Sequence, residues 1–244
     1  MSASGTVATA ALAQAARPAP TALAIPHYLR QAYWWAYIHP KAVQLFEREW
    51  LVNLILVGNY ARLCDAALAA LGPTLHGRTL QVACVYGNLT PRLRERLEPE
   101  ARLDVLDILP IQLSNLSRKL PPDERVALLH GDSAALACPA ASYDQLLLFF
   151  LLHEQPRQVR AATLAEALRV VKPGGRIVIV DYHRPVALHP LRPLMRAVFR
   201  QLEPYALDLW QYPIEEMLHA GRRPASIDKT TCFGGLYQRL VLER

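Results

Sequence analysis

The sequence predicts an α/β domain, a mostly parallel β-sheet with helices on both faces, led by a helical segment and interrupted by a helical insert after the fifth strand. Three observations predict it. From Gly77 onward, short apolar runs alternate with amphipathic stretches, the pattern of successive β–α units. The runs end on residues suited to ligand contact: Gly87, Asp107, Asp132, His153 and Asp181–His183. The chain has 244 residues, 52% hydrophobic and 20% charged, which suits one such domain with a sizeable core.

Residues 1–24 are rich in Ala, Thr, Ser and Pro and carry Arg17 but no acid, so a disordered tail is expected. They lack the basic start and continuous apolar stretch of a secretory signal. Residues 25–75 read as a helical lid. Ile25-Pro26-His27-Tyr28 opens it, the aromatic cluster Tyr33, Trp34, Trp35 and Tyr37 follows, and Val43, Phe46, Trp50 and Leu54 recur at helical spacing. A further helix from Tyr60 to Leu71 stops at Gly72-Pro73.

Residues 76–244 carry the sheet. The strands are read as Arg78 to Tyr86, Leu103 to Ile108, Val126 to His130, Tyr143 to Leu152 and Arg176 to Tyr182. Thr90-Pro91 looks like an N-cap followed by an N1 proline, and Pro110 opens a helix to Leu120. Thr163 to Val171 is read as helical, with Pro173-Gly174-Gly175 turning the chain into the fifth strand. In the insert, Leu191, Leu194, Met195, Val198, Phe199 and Leu202 make one wide apolar helix face. Phe233 to Leu242 reads as one or two closing strands, and no internal repeat is present.

The net charge of +6 comes from scattered residues, with no Lys/Arg run of the kind that marks a nucleic-acid stripe. The balance fits anionic lipid heads or an acidic metabolite, or is plain surface charge. Cys64, Cys84, Cys138 and Cys232 form no C-x-x-C pair, so neither a zinc knuckle nor a disulfide framework is indicated, and a reducing cytoplasm is expected. No run is long and apolar enough to span a bilayer. Leu146 to Leu152 is bounded by Asp144 and His153–Glu154 and reads as a buried strand.

In an open parallel sheet, ligands sit past the carboxyl ends of the strands. After the first strand, Gly87 permits close backbone approach and the next helix N-terminus favours negative charge. Asp107, twenty residues on (107 − 87), stands where a carboxylate bonds the ribose of an adenosine ligand. The alternative is a plain β-turn with a capping aspartate. After the third strand, Gly131-Asp132-Ser133 offers an acceptor for an adenine amino group, or is a turn aspartate.

With the run Glu166 to Gly175 (EALRVVKPGG), the layout resembles the Rossmann-like class I S-adenosylmethionine (SAM)-dependent methyltransferases, nearest to the ubiquinone/menaquinone C-methyltransferases. More closely, the chain resembles the rhodoquinone biosynthesis family RquA. The matching stretches are Gln81–Asn88, Leu106–Leu113, Phe149–Pro156, Asp181–Pro185 and Phe233–Gln238, with the Tyr33–Tyr37 and Gly58–Tyr60 segments. The resemblance covers the chain from about Ile25 onward. It implies a seven-stranded sheet and an enzyme that replaces a ring methoxy group of ubiquinone by an amino group donated by SAM, with manganese (Mn2+). It also implies cofactor contacts from Gln81, Ala83, Val85, Tyr86, Gly87, Asp107, Ile108, Asp132 and Ser133.

The first loop departs from ordinary methyltransferases: Gln81 replaces the usual acid, Ala83 and Val85 replace usual glycines, and Tyr86 is bulky. These changes should reposition the methionine end of SAM. A hard divalent ion can polarise a quinone carbonyl, and imidazole and carboxylate suit manganese. The expected metal ligands are therefore His153, Asp181 and His183, with His153, His183 or Glu154 as the proton acceptor. Alternatively, Glu154 caps a helix and His183 bonds a carbonyl. Tyr28, Tyr33, Trp34, Tyr37 and Trp210 are candidates for covering SAM and seating the quinone, with core packing as the alternative. A polyprenyl tail implies docking on a membrane surface, hence a cytoplasmic enzyme peripheral to the inner membrane. Two rival readings are a quinone or phenol methyltransferase with a worn first loop, and a non-catalytic SAM-fold subunit of a quinone biosynthesis assembly.

Overall fold

The computed structural model of the chain describes residues 23–218 and 223–244. Of the tail expected over residues 1–24, only Leu23 and Ala24 fall among them. Seven strands form one sheet: β1 (Arg78–Val82), β2 (Arg102–Asp107), β3 (Val126–His130), β4 (Tyr143–Phe149), β5 (Val171–Tyr182), β6 (Ser226–Cys232) and β7 (Tyr237–Glu243). Their order is β3-β2-β1-β4-β5-β7-β6, with β1 to β5 parallel and β7 antiparallel to both β5 and β6.

The chain runs outward from β1 to β3 and then returns to β1's other side for β4. That reversal makes a crevice at the carboxyl ends of β1, β2 and β4, where this class of sheet takes its ligand. Register carries the loops there together, because Val82 is level with Leu106 on one side and Leu148 on the other.

Both sheet faces are covered, so the strands read as continuous apolar runs. Leu146, Leu148, Ile177 and Ile179 point to one core with Leu164 and Leu168 of α7 (Arg157–Val170). Leu147, Phe149, Val178 and Val180 point to the other, under Leu63 and Leu68 of α4 (Tyr60–Leu71). A third cluster joins Leu29 of α1 (His27–Ala32) and Tyr33 to Leu109, seating the N-terminal segment on the loop after β2. That segment continues through a π-helical turn (Trp34–Ile38), α2 (Pro40–Phe46) and α3 (Glu49–Ile55).

Several boundaries differ from expectation. β1 stops at Val82 because Ala83 turns to φ +73°. β4 stops at Phe149, after which Leu152–Glu154 form a single 3-10 turn. α7 starts at Arg157 and ends at Val170, and Pro173-Gly174-Gly175 lies inside β5 as an irregularity in its pairing with β4. Between Gly175 and the neighbouring strand there is little room: a Cβ there would sit 2.7 Å from the Asp144 carbonyl. Thr90 is no cap. α5 (Leu89–Glu95) begins before it, and its hydroxyl donates to the Gln81 side chain at 3.0 Å. The insert helix α8 (Arg192–Leu202) matches expectation and is followed by α9 (Ala206–Gln211), while α6 (Pro110–Lys119) follows β2.

One fully buried cation fixes the turn after β4. The Arg160 guanidinium donates to the carbonyls of Leu152 (2.7 Å), Gln155 (3.0 Å) and Tyr205 (3.1 Å) and pairs with Asp208 at 2.9 Å. Breaking a buried pair strands its partners, at about 3–5 kcal/mol. Arg160→Met is therefore expected to lower unfolding free energy by about 3 kcal/mol or more in denaturant titration.

Candidate active site

The crevice holds a cavity of about 570 Å³. One end is lined by Ala83, Cys84, Val85 and Tyr86, with Asp107, Ile108, Asp132 and Ser133. The other end is lined by His153, Glu154 and Glu203, and apolar side chains from α3 and α8 form the rim.

Ala83 keeps the left-handed backbone that glycine makes easily, and its N–H donates to Leu106 at 2.7 Å. Asp107 ties the loops together. Its Oδ2 accepts from Cys84 N (2.7 Å) and its Oδ1 from Leu109 N (2.8 Å). Burial pushes its carboxyl up to about 6, against the pull of those two N–H groups. Asp132 accepts from Ala134 N at 2.8 Å, and Ser133 accepts from Gln155 at 2.9 Å.

Gln81 and Gly87 stand outside the cavity lining, which corrects their expected role as direct contacts. Gln81 is fully buried behind the loop, where its amide donates to the Ala83 carbonyl at 2.9 Å. Gly87 is crowded by Tyr60, whose hydroxyl would lie 2.4 Å from an added Cβ. Its N–H donates to Glu47 at 3.2 Å, and its carbonyl accepts from Lys119 at 2.7 Å.

Tyr86 spans the cofactor loop and the N-terminal segment. Its ring lies stacked near Tyr37 (5.8 Å) and Phe46 (6.0 Å). Its hydroxyl donates to Ala36 O at 2.9 Å and accepts from Gln112 at 2.7 Å. Tyr28 and Tyr37 line the cavity, while Tyr33 is buried behind it. Trp34 and Trp210 do not join them. Trp34 is exposed and meets His39 edge-on, and Trp210 packs on Phe199 and lines a second cavity with His183.

At the far end, His153 Nδ1 is 2.8 Å from Asp181 Oδ1. Its Nε2 lies 3.9 Å from a carboxylate oxygen of Glu154 and 3.9 Å from one of Glu203. Tyr37 donates to Glu154, and the Tyr33 hydroxyl lies against Glu203 without a hydrogen bond of standard geometry. Glu203 Oε2 has no hydrogen-bond partner among the described residues. Burial alone would lower the imidazole, but Asp181 and the two glutamates outweigh it and push it up to about 9. Burial pushes Glu154 up to about 8, opposed by His153 and assisted by Glu203. Burial likewise raises Glu203.

The expected metal set does not assemble. Asp181 is saturated, since Oδ2 accepts from Leu152 N (2.9 Å) and His153 N (3.3 Å), and Oδ1 from Tyr182 N (2.7 Å) and the imidazole. His183 is turned to the Gly235 carbonyl at 2.8 Å and lines the second cavity. Among the described residues, no three His, Cys, Asp or Glu side chains are placed to hold a metal ion. These residues do not fit Mn2+ as a set, and His153 and Asp181 form a hydrogen-bonded dyad instead.

Glu203, Glu47 and Gln112 escaped sequence reasoning. Glu203 had one signal, as the first acid after the run of arginines and apolar residues in α8. Glu47 and Gln112 had none, because their roles come from packing between distant segments.

Residues 79–175 match the family model described as a methyltransferase domain. The ubiquinone/menaquinone biosynthesis C-methyltransferase UbiE of Methylobacterium nodulans is 33% identical over 138 residues, 54% of this chain and 54% of that protein. A demethylmenaquinone methyltransferase of Anoxybacillus flavithermus is 28% identical over 141 residues, 57% and 58% of the two chains. The chain thus spans about half the length of the curated relatives it matches. A SAM-dependent methyltransferase structure from Aquifex aeolicus superposes with a TM-score of 0.52 at 16% identity, covering 84% of this chain and 97% of that one. The fold is the Rossmann-like SAM methyltransferase fold, and residues 79–175 are similar to a methyltransferase domain.

Two tests follow from this geometry. Ala83→Gly should stabilise the fold by about 0.5–1 kcal/mol in denaturant titration, because it relieves a left-handed alanine. His153 and Glu154 both bind protons more tightly folded than unfolded. Stability is therefore full below the unfolded values and falls as pH rises to about 8 through Glu154 and about 9 through His153. The slope is about 1.4 kcal/mol per pH unit for each proton, and Glu154→Gln should flatten its share in melts across pH.

Proposed function

We propose that the chain is a SAM-dependent transferase acting on a quinone ring, with methyl transfer to a ring carbon as its reaction. One observation carries this: a single apolar cavity joins the loop Ala83–Tyr86, Asp107 and Asp132 to a buried cluster of His153, Glu154 and Glu203. The first end suits adenosine, with carboxylates for ribose hydroxyls and the adenine amine. The second end supplies a base whose proton affinity lies near neutral pH, where a base is most effective. The relatives' names support a quinone acceptor.

In this reading the reduced ring carbon attacks the methyl carbon of SAM. The methyl–sulfur bond breaks with its electrons going to sulfur, and the ring proton passes to the Glu154 carboxylate. Tyr37 holds that carboxylate in place. Asp181 fixes the imidazole so that Nε2 faces the glutamates.

The first loop favours a second reading, exchange of a ring methoxy group for an amine from SAM, as in rhodoquinone formation. Ala83 and Val85 stand where the resemblance expects glycine, and bulky Tyr86 is wedged against Tyr37 and Phe46. That bulk displaces the methionine end of SAM from its ordinary path. Freed of a proton by Glu154 or Glu203, the SAM amine would add to the methoxy-bearing ring carbon and expel the methoxy group as methanol. Loss of the Cα proton, with its electron pair passing into the quinone ring, and hydrolysis of the resulting imine would then break the Cα–N bond, leaving the amine on the reduced ring and a 2-oxo acid. No step is assigned to manganese.

The two reactions separate by product mass. Incubation with SAM and either a demethylated quinone or ubiquinone, with and without Mn2+, yields a heavier quinone for methyl transfer and a lighter one for amine exchange. Unchanged masses under every condition overturn both. Glu154→Gln should lower turnover by about 10²–10⁴-fold while calorimetric SAM affinity stays within a few fold.

A further inference from the structure

The cavity mouth is unusual for a surface bathed only in water. α3 has no buried residue, and Trp50 (58% exposed), Leu54 (66%) and Ile55 stand out from it, followed by Val57. Across the mouth, Leu194 (57%) and Leu202 of α8 are exposed too. Leu54, Ile55, Val57, Leu194 and Leu202 also line the cavity, so one apolar surface runs from the interior to the outside. Val52 of α3 and Met195, Val198 and Phe199 of α8 belong to one core cluster and line the same cavity, so the two helices face its mouth from opposite sides.

Charge completes the pattern. α8 carries Arg192, Arg196 and Arg200 at four-residue spacing and no acid, and Glu49 is the one acid on the two rim helices. Arg196 and Arg200 are exposed and enter no ion pair among the described residues. An apolar helix face flanked by arginines, with a tryptophan beside it, is the composition of a helix that lies in a membrane interface. A patch this contiguous marks a contact surface.

We propose that α3 and α8 form the surface by which the protein docks on an anionic bilayer, opening the cavity directly into the lipid. Charge complementarity selects this occupant. A second copy seated on this face by twofold symmetry would bring two sets of α8 arginines into one interface with only Glu49 from each rim to offset them. The inference rests on the quinone reading for what passes through the mouth, but not for the docking itself.

The test is flotation of the full chain with vesicles of phosphatidylcholine alone and of phosphatidylcholine with phosphatidylglycerol. Binding is expected on the anionic vesicles and should weaken with salt. The double variant Arg196→Gln/Arg200→Gln should lower the partition coefficient there about thirtyfold, at roughly fivefold per arginine. Trp50→Ser should lower partition on both vesicle types. Calorimetric SAM binding, unchanged in each variant, checks that the fold is intact. Failure to float on anionic vesicles, equal partition of the arginine variant and the parent, or a solution dimer abolished by Trp50→Ser overturns the proposal. Flotation without a mass change in any quinone leaves docking standing and removes the quinone reading.

Discussion

Asp181 sits at the end of β5 with no exposure at all, and it holds the chemistry of the cavity in register. An isolated carboxylate in such a place is costly unless its charge is met by hydrogen bonds. Here three backbone N–H groups and an imidazole meet it. Two of those N–H groups belong to the 3-10 turn after β4, so the same bonds that make the carboxylate tolerable also fix where His153 and Glu154 stand. Arg160 grips the same turn from behind through its carbonyls. The turn is thus pinned on both its donor and acceptor sides. A site on a loop gains the precision of a site on a strand.

The other end of the cavity is built with bulk. Tyr86 fills space beside the cofactor loop, and it also gives the N-terminal helices something to hold. Its ring meets Tyr37 and Phe46, and its hydroxyl meets Ala36 and Gln112. Glu47 adds a second tie, taking the Gly87 N–H while paired with Lys119. The loop therefore carries the enclosing segment as well as facing the cofactor end. Ala83 keeps a left-handed turn there without the freedom of glycine.

The sheet was legible because its signals are local. Apolar runs, Gly/Pro punctuation and strand-end acids each act within a few residues, and they located all five parallel strands, Asp107 beside the loop and the amphipathic α8. Strand ends were overrun, at Tyr86 and Leu152, because an apolar run continues into a buried turn and composition cannot mark where pairing stops. The grouping of His153, Asp181 and His183 failed for a different reason. Alternation sends Asp181 and His183 to the same side only while the strand continues. After Tyr182 the chain leaves β5, and the Gly235 carbonyl captures His183. Glu203 had only its place as the first acid after α8 to mark it, because its importance depends on a long-range approach to His153.

The buried cluster has a consequence for how the cavity treats charge. Glu154, Glu203 and Asp107 are all raised by burial, so each resists ionising while its surroundings stay apolar. His153 is raised as well, and its charge is balanced by Asp181. A cation entering beside the glutamates changes that balance, since an opposite charge within about 4–6 Å favours the carboxylate form. SAM carries such a charge on its sulfonium and another on its ammonium. Its arrival would therefore draw a proton from a glutamate and leave a carboxylate inside a closed, apolar space, where its interactions are strongest. The filled cavity gains a base at the end where a ring proton or an ammonium proton must go. Burial, unfavourable to each carboxylate alone, is thus what ties proton release to occupancy.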